Sequence, residues 1–203
     1  MQYENIREQI VHYAKRMYEE KMVSCTSGNI SIRLDDRSDA FAITPGSENY
    51  MTLTSDRIVI ICLDGQLLYC PEGAKPSSEW RMHAEVYRAK ADVRAIVHTH
   101  SPYATAFAVL GESVPTILSE MIFWLGGDVP LAKYGKPGTA ELGIKALECL
   151  ENRYACLLAN HGVLAVADNL DLAYTRAAYV EDANKIYHLA RCVGKPTLVP
   201  DSF

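Results

Sequence analysis

Apolar residues recur at helical spacing near the start of the chain, where Ile6, Ile10, Tyr13, Ala14, Met17 and Tyr18 predict a helix over residues 4–21. The period then drops to two. Ile30, Ile32 and Leu34 alternate with Ser31 and Arg33, which predicts a half-buried strand over Gly28–Leu34. Ala40–Thr44 reads as a short strand ending at the Pro45-Gly46 turn. Ile58–Leu63 and Gln66–Cys70 flank Asp64-Gly65, a strong hairpin signal. Met82, Val86 and Ala89 form the stripe of a helix over Ser78–Lys90, and Ala95–His100 reads as a strand. Ser101-Pro102 opens another helix, with Ser at the N-cap and Pro in the first turn. Thr139–Asn152 predicts a helix, and Ala155–Ala159 and Gly162–Ala167 predict strands. Asp168 or Asn169 caps a long final helix that ends near Gly194. The glycine-rich stretch 112–138 has little periodicity and is expected to be a long functional loop. Hairpins mixed with helices predict an α/β sandwich with a largely antiparallel sheet, as one domain over 1–203.

Composition narrows the function classes. Of 203 residues, 49% are apolar and 22% charged, which excludes disordered and fibrous chains. Lys+Arg number 20 against 25 Asp+Glu, a net charge of −5. That balance argues against nucleic-acid and anionic-membrane partners, but leaves room for a local basic pocket that takes a phosphorylated metabolite. The apolar run Ile58–Leu63 is far too short to span a bilayer. The first residues lack the basic and apolar regions of a signal peptide, and the six cysteines form no Cys-x-x-Cys. The expectation is a cytoplasmic protein with reduced, mostly buried thiols.

Six histidines carry the candidate chemistry. His12, His83 and His188 fall in predicted helices and read as packing or surface residues. His98-Thr99-His100 differs, because side chains two apart on a strand share a face. His161 interrupts an apolar segment, Leu-Leu-Ala-Asn-His-Gly-Val-Leu, where it can point into a site at a strand end. Three histidines from two strands, without a thiolate, fit a catalytic zinc site with an open fourth position. Glu79, at a predicted helix start, is the candidate fourth group or simply a first-turn helix acid. Three polar clusters remain: Thr26-Ser27-Gly28-Asn29, Thr44-Pro45-Gly46-Ser47 and Ser77-Ser78. Each alone is an ordinary turn or cap. Together with the histidines they can form an anion cradle for a phosphate.

With these pieces in order, the chain resembles the class II aldolase/adducin family, and within it the L-fuculose-1-phosphate aldolase branch. The matching segments are Thr26-Ser-Gly-Asn-Ile-Ser31, Ile43-Thr-Pro45, Pro76-Ser-Ser-Glu-Trp-Arg-Met-His83, His98-Thr-His100 and Asn160-His-Gly162, within residues 4–190. The resemblance implies a three-layer α/β/α sandwich around a mostly antiparallel sheet. It implies one zinc per subunit on His98, His100 and His161, and Glu79 as the catalytic acid/base. It places a substrate phosphate at Gly28, Asn29, Gly46, Ser47, Ser77 and Ser78. It further implies a homotetramer with active sites between subunits. Two departures stand out. Thr44-Pro45-Gly46-Ser47 inverts the usual order of the second phosphate loop, and no Tyr precedes Gly126-Gly127, leaving Glu120 as the nearest polar match.

The implied reaction is reversible cleavage of a ketose 1-phosphate, foremost L-fuculose 1-phosphate, to dihydroxyacetone phosphate and a small aldehyde such as L-lactaldehyde. Rival readings within the fold are a 5-deoxypentulose-phosphate aldolase, a methylthioribulose-1-phosphate dehydratase, a pentulose-phosphate 4-epimerase, or a non-catalytic adducin-like interaction module. Metal analysis separates the module from the enzymes. About one divalent ion per chain is expected, with activity abolished by a chelator and restored by Zn2+. Full activity in metal-free protein would sink the zinc reading.

Overall fold

The strands sort their side chains into two cores. In the computed structural model, which describes residues 2–200, the elements follow in the order α1 (Glu4–Glu19), β1 (Asn29–Arg33), β2 (Ala40–Ile43), β3 (Val59–Cys62), β4 (Leu67–Tyr69), α2 (Trp80–Ala89), β5 (Ala95–Thr99), α3 (Pro102–Leu110), α4 (Ser119–Leu125), β6 (Leu131–Ala132), α5 (Ala140–Cys149), β7 (Ala155–Leu158), β8 (Gly162–Ala167) and α6 (Leu170–Val193). Successive strand residues point to opposite faces. Ile30, Ala42, Ile60, Val97 and Val163 therefore join one core with α1, α3, α4 and α6. Their neighbours Phe41, Ile43, Val59, Ile61, Ile96 and Leu164 join a second with α2 and α5.

All eight strands form one sheet, in the order β4-β3-β2-β1-β5-β8-β7-β6. It is a mixed sheet, where the expectation named no parallel pair. Six neighbouring pairs are antiparallel, whereas β6 runs parallel to β7, with Leu131 opposite Leu157. The reason is the connection: α5 carries the chain from β6 to β7, and a helical crossover returns it in the same direction. The Asp64-Gly65 hairpin forms as expected between β3 and β4, with the Asp64 carboxylate accepting from Gln66 N at 2.9 Å.

The stretch 112–138 is not one long loop. It contains α4 and β6, and Val114 bridges Val129. Its apolar run Met121–Leu125 belongs to a seven-residue helix closed by Gly126 at φ 81°, too short for a period to register in the sequence. Ser101 does hold the N-cap position of α3, but its side chain does not cap. The Glu181 carboxylate from α6 accepts instead from Tyr103 N and Ala104 N, at 3.1 and 2.9 Å. Asn169, not Asp168, caps α6 by accepting from Leu172 N at 2.8 Å. All six thiols are free; Cys62 and Cys156 are buried, while Cys25 and Cys192 are exposed. No helix among the described residues is long and apolar enough to cross a membrane.

Strand β1 departs from the half-buried strand that its alternation suggested. Its polar face is covered by α2, so Ser31 is 0% and Arg33 only 6% exposed. Arg33 donates to the carbonyls of Tyr87, of Lys90 at 3.1 Å, of Val93 at 3.2 Å and of Ser38 at 2.9 Å. A cation at the carbonyl end of α2 satisfies groups that the helix leaves unpaired and complements its dipole. Arg33→Met keeps the stem but orphans those carbonyls, at about 1–3 kcal/mol for each one that stays dry. The expected loss of unfolding free energy is about 2–4 kcal/mol, read from the urea midpoint at constant slope. A change under about 0.5 kcal/mol would show that water replaces the guanidinium.

Candidate active site

The sheet centre places the histidines. Strand β5 lies between β1 and β8, with His98 opposite Asn29 on one side and Leu164 on the other. His98 Nδ1 donates to Val163 O at 2.7 Å, which leaves Nε2 to face inward. His100 lies just past the strand, its backbone N–H held by Met22 O at 3.0 Å. His161 occupies the β7–β8 turn, after Asn160 at φ 56°, a left-handed conformation that Asn tolerates. Gly162 makes the approach possible: a Cβ there would sit 2.2 Å from Thr99 O and 3.1 Å from His100 Cδ2. The three rings form a near-equilateral triangle. Their centroids are 4.9, 4.9 and 5.0 Å apart and their planes cross at 73–81°.

Glu79 completes the cluster from the N-cap of α2. Its Oε2 lies 2.9 Å from His98 Nε2, and its Oε1 lies 3.2 Å from His161 Nε2. The donor atoms of Glu79, His98, His100 and His161 all fall within 4.8 Å of one another. Oε1 is buried and makes no hydrogen bond. A dry carboxylate oxygen beside converging imidazole nitrogens is a donor set that suits a divalent cation. Tetrahedral ligands about 2.0–2.1 Å from zinc stand about 3.3 Å apart, close to the spacings here.

Electrostatics divides the group without a metal. Burial disfavours charge on both His98 and Glu79, but their mutual attraction outweighs it. The pKa of His98 is raised, and that of Glu79 is held well below the usual carboxylate range. Burial, then repulsion by His98, keeps His100 neutral down to about 3 and His161 down to about 4. His83, at 0% exposure, is lowered to about 3 for the same reasons.

The polar loops meet beside this cluster. A cavity of about 520 Å3 is lined by Gly28, Asn29, Gly46, Ser47, Ser77, Ser78, Glu79, His100 and His161, with His98 buried behind them. Gly28 has φ 73°, and a Cβ would lie 2.7 Å from His98 O. Pro45 bridges Pro76, Ser77 N donates to Thr44 O at 3.2 Å, and Gly46 N donates to Lys75 O at 2.9 Å. These bonds weld the second and third loops together. They also engage two N–H groups expected to serve the phosphate, so hydroxyls carry more of the donor capacity than anticipated. The Asn29 amide is engaged as well: Nδ2 donates to Glu79 Oε2 at 3.1 Å, and Oδ1 meets His83 Nε2 at 2.5 Å.

Sequence reasoning overlooked two residues here. Lys75 lines the cavity as its one ammonium group, signalled only by its place before Pro76-Ser77-Ser78. His83, read as a packing residue, is buried but hydrogen-bonded to both Asn29 and Ser31. Glu120 does not join the cluster. It stands exposed on α4, outside the residues that line the cavity.

An imidazole triad with a carboxylate, beside a hydroxyl-lined cavity, is an arrangement that suits a metal-dependent lyase. The profile of the Class II Aldolase and Adducin N-terminal domain matches residues 8–188, and the chain belongs to the class II aldolase family. It is 40% identical over 196 residues to a 5-deoxy-D-ribulose 1-phosphate aldolase from Bacillus thuringiensis serovar kurstaki, covering 96% of this chain and 90% of that one. It is 36% identical over 174 residues to an L-fuculose phosphate aldolase of Escherichia coli strain K12, covering 86% and 78%. A solved L-fuculose 1-phosphate aldolase superposes with a TM-score of 0.90 at 37% identity, over 97% of this chain and 91% of that one.

The depressed histidines give metal-free protein a pH signature. Unfolded imidazoles protonate near 6.5, whereas His83, His100 and His161 stay neutral in the fold to about 3, 3 and 4. The unfolded state therefore binds more protons below 6.5, and stability falls as pH drops from about 6.5 towards 4. His98, with its raised pKa, acts above that window: its stabilisation is gained as pH falls towards 6.5 and stays constant below it. Fully buried His83 alone contributes about 1.4 kcal/mol per pH unit across that window. Urea midpoints of chelated protein at pH 7 and pH 5 check this; equal midpoints would contradict the neutral assignment.

Proposed function

We propose that this chain is a zinc-dependent aldolase that cleaves a ketose 1-phosphate to dihydroxyacetone phosphate and a small aldehyde. One observation carries the reading: the converging donors open, through Glu79, His100 and His161, onto a cavity walled mainly by hydroxyl and backbone groups of the three polar loops, with Lys75 and two prolines among them. His98, His100 and His161 would hold the ion. When bound, it supplies Lewis-acid polarisation of the substrate's ketone and neighbouring hydroxyl. Ser47, Ser77, Ser78 and the Gly28–Asn29 and Gly46 turns hold the phosphate, with Lys75 as its counter-charge. This fixes the distance between the phosphate and the reacting carbon. Glu79, ionised at rest, would take up the proton released as the hydroxyl beside the breaking carbon–carbon bond becomes the aldehyde and return a proton to the carbon which that bond frees; in the synthetic direction it removes a proton from that carbon. Three histidines meet the usual protein-ligand count of a catalytic zinc site, so Glu79 is free for this role.

The substrate is read by its tail. Both 5-deoxyribulose 1-phosphate and L-fuculose 1-phosphate end in a methyl group, so the aldehyde released is small and methyl-terminated. Cleaving the five-carbon sugar between its third and fourth carbons leaves acetaldehyde; the six-carbon sugar leaves lactaldehyde. The 40% identity to the 5-deoxy-D-ribulose enzyme favours acetaldehyde, with L-fuculose 1-phosphate as the second reading. The two cores on opposite faces of one sheet support a three-layer α/β/α domain over 1–203. We further read it as a cytoplasmic homotetramer. Exposed Phe123 and Trp124 on α4 support a covered face, and Glu120 on the same helix would then approach a neighbouring site.

Incubation with dihydroxyacetone phosphate and a panel of aldehydes tests the reading, with acetaldehyde and L-lactaldehyde as the informative pair. Condensation with neither would overturn it. Glu79→Gln keeps the shape but removes the base, so kcat should drop about 10²–10⁴-fold with zinc content unchanged. Wild-type exchange of the carbon-bound proton of dihydroxyacetone phosphate by that variant would remove Glu79 from the proton transfer.

A further inference from the structure

Behind the cavity, strand β1 and helix α2 interdigitate through a row of buried polar groups. Asn29 and Ser31 are two apart on β1 and share a face, about 6.6–6.8 Å apart along the strand. Glu79, His83 and Tyr87 recur every fourth residue along α2, about 6.0 Å apart along the helix. The two rows stay in step, and their side chains alternate: Glu79, Asn29, His83, Ser31, Tyr87. Asn29 Nδ2 meets Glu79 Oε2 at 3.1 Å, and His83 Nε2 meets Asn29 Oδ1 at 2.5 Å. Ser31 Oγ lies 2.6 Å from His83 Nδ1 and 2.7 Å from Tyr87 OH. Asn29, Ser31, His83 and Tyr87 are at most 2% exposed, inside a core of Met82, Val86, Phe41 and Ile96.

The chemistry of Glu79 dictates every proton in this row. An ionised carboxylate only accepts, so the Asn29 NH2 must face it and Oδ1 must face His83. His83 must then carry its proton on Nε2. A neutral ring leaves Nδ1 as an acceptor, so Ser31 donates to it and in turn accepts from Tyr87. The consequence reaches the cavity. Oε2 of Glu79 is tied by Asn29 and faces His98 Nε2, while Oε1 makes no hydrogen bond and lies 3.2 Å from His161 Nε2.

We propose that His83 is a positioning residue, which through Asn29 locks the Glu79 carboxylate so that Oε1 alone is the oxygen that moves the proton. This rests on the aldolase reading above. Without the Nε2–H, the Asn29 amide is free to turn its oxygen towards the carboxylate, and the lock becomes a repulsion.

Two kinds of measurement test it. Nitrogen-15 imidazole spectra of metal-free wild-type protein at pH 7 should show His83 as the neutral Nε2–H tautomer. An Nδ1–H tautomer or an imidazolium would overturn the proposal. In the metal-loaded protein, His83→Asn removes the donor at the Nε2 position. It should slow solvent exchange of the carbon-bound proton of dihydroxyacetone phosphate about 10–100-fold, with KM within about twofold. His83→Gln returns an N–H near that position and should recover most of the rate, which a mere packing role would not explain. In an Asn29→Ala background, His83→Asn should cost nothing further, because the row is already cut at its first link. A wild-type rate in His83→Asn, or an undiminished loss in the double variant, counts against the lock. If wild-type protein itself exchanges no proton, the aldolase reading fails, while the tautomer spectrum still decides the lock.

Discussion

An ionised carboxylate does not sit in a protein interior unaccompanied, and Glu79, only 7% exposed, is the constraint around which this site is arranged. Its charge is answered from two directions. Imidazoles approach from the sheet, and the Asn29 amide approaches from β1. The attraction is strong enough to overcome the burial that would otherwise neutralise both Glu79 and His98. Removing either partner would leave an uncompensated charge in a dry place, which is far more costly than never having buried the pair. The cluster thus shapes both the metal-ligand geometry and the stability of the sheet centre.

The fold serves this arrangement by ordering rows of side chains. β5 lies between β1 and β8, so His98 is flanked by paired backbone on both sides. The polar face of β1 is matched in pitch by α2, and Arg33 at the far end of that row fastens the last turn of the helix. The Glu79 end of α2 is tied through Asn29 and His83, and its carbonyl end through Arg33. A helix held at both ends keeps a residue at its N-cap in place, and Glu79 occupies that position.

Much of this was legible in the chain. The period of Ile6 to Met17, the Asp64-Gly65 turn, the His98-Thr99-His100 spacing and the His161-Gly162 break each encode a local geometry that survives folding. What escaped depends on partners distant in sequence. Ser31 and Arg33 look solvent-facing until α2 is laid over them. His83 looks like a core histidine until Asn29, fifty-four residues away, claims its proton. The parallel β6–β7 pair is two residues long and leaves no alternation to read. The N–H groups of Gly46 and Ser77 look available to an anion, yet Lys75 and Thr44 take them when the loops close on one another. The histidine cluster was legible because few residue types suit a metal ion; the supporting contacts were not, because almost any donor and acceptor can meet.

The two oxygens of Glu79 are chemically identical in isolation and differ here only by their surroundings. One is hydrogen-bonded to Asn29; the other makes no hydrogen bond and faces His161. In the proposed reaction, a base with one oxygen held by the scaffold would reach a planar carbon from one side. Handedness in the new carbon–hydrogen bond would then originate neither in an ion, which is nearly spherical, nor in the carboxylate, which is symmetric. It would be inherited from the way β1 sets Asn29 beside the N-cap of α2, and through that from the chirality of the L-amino acids themselves.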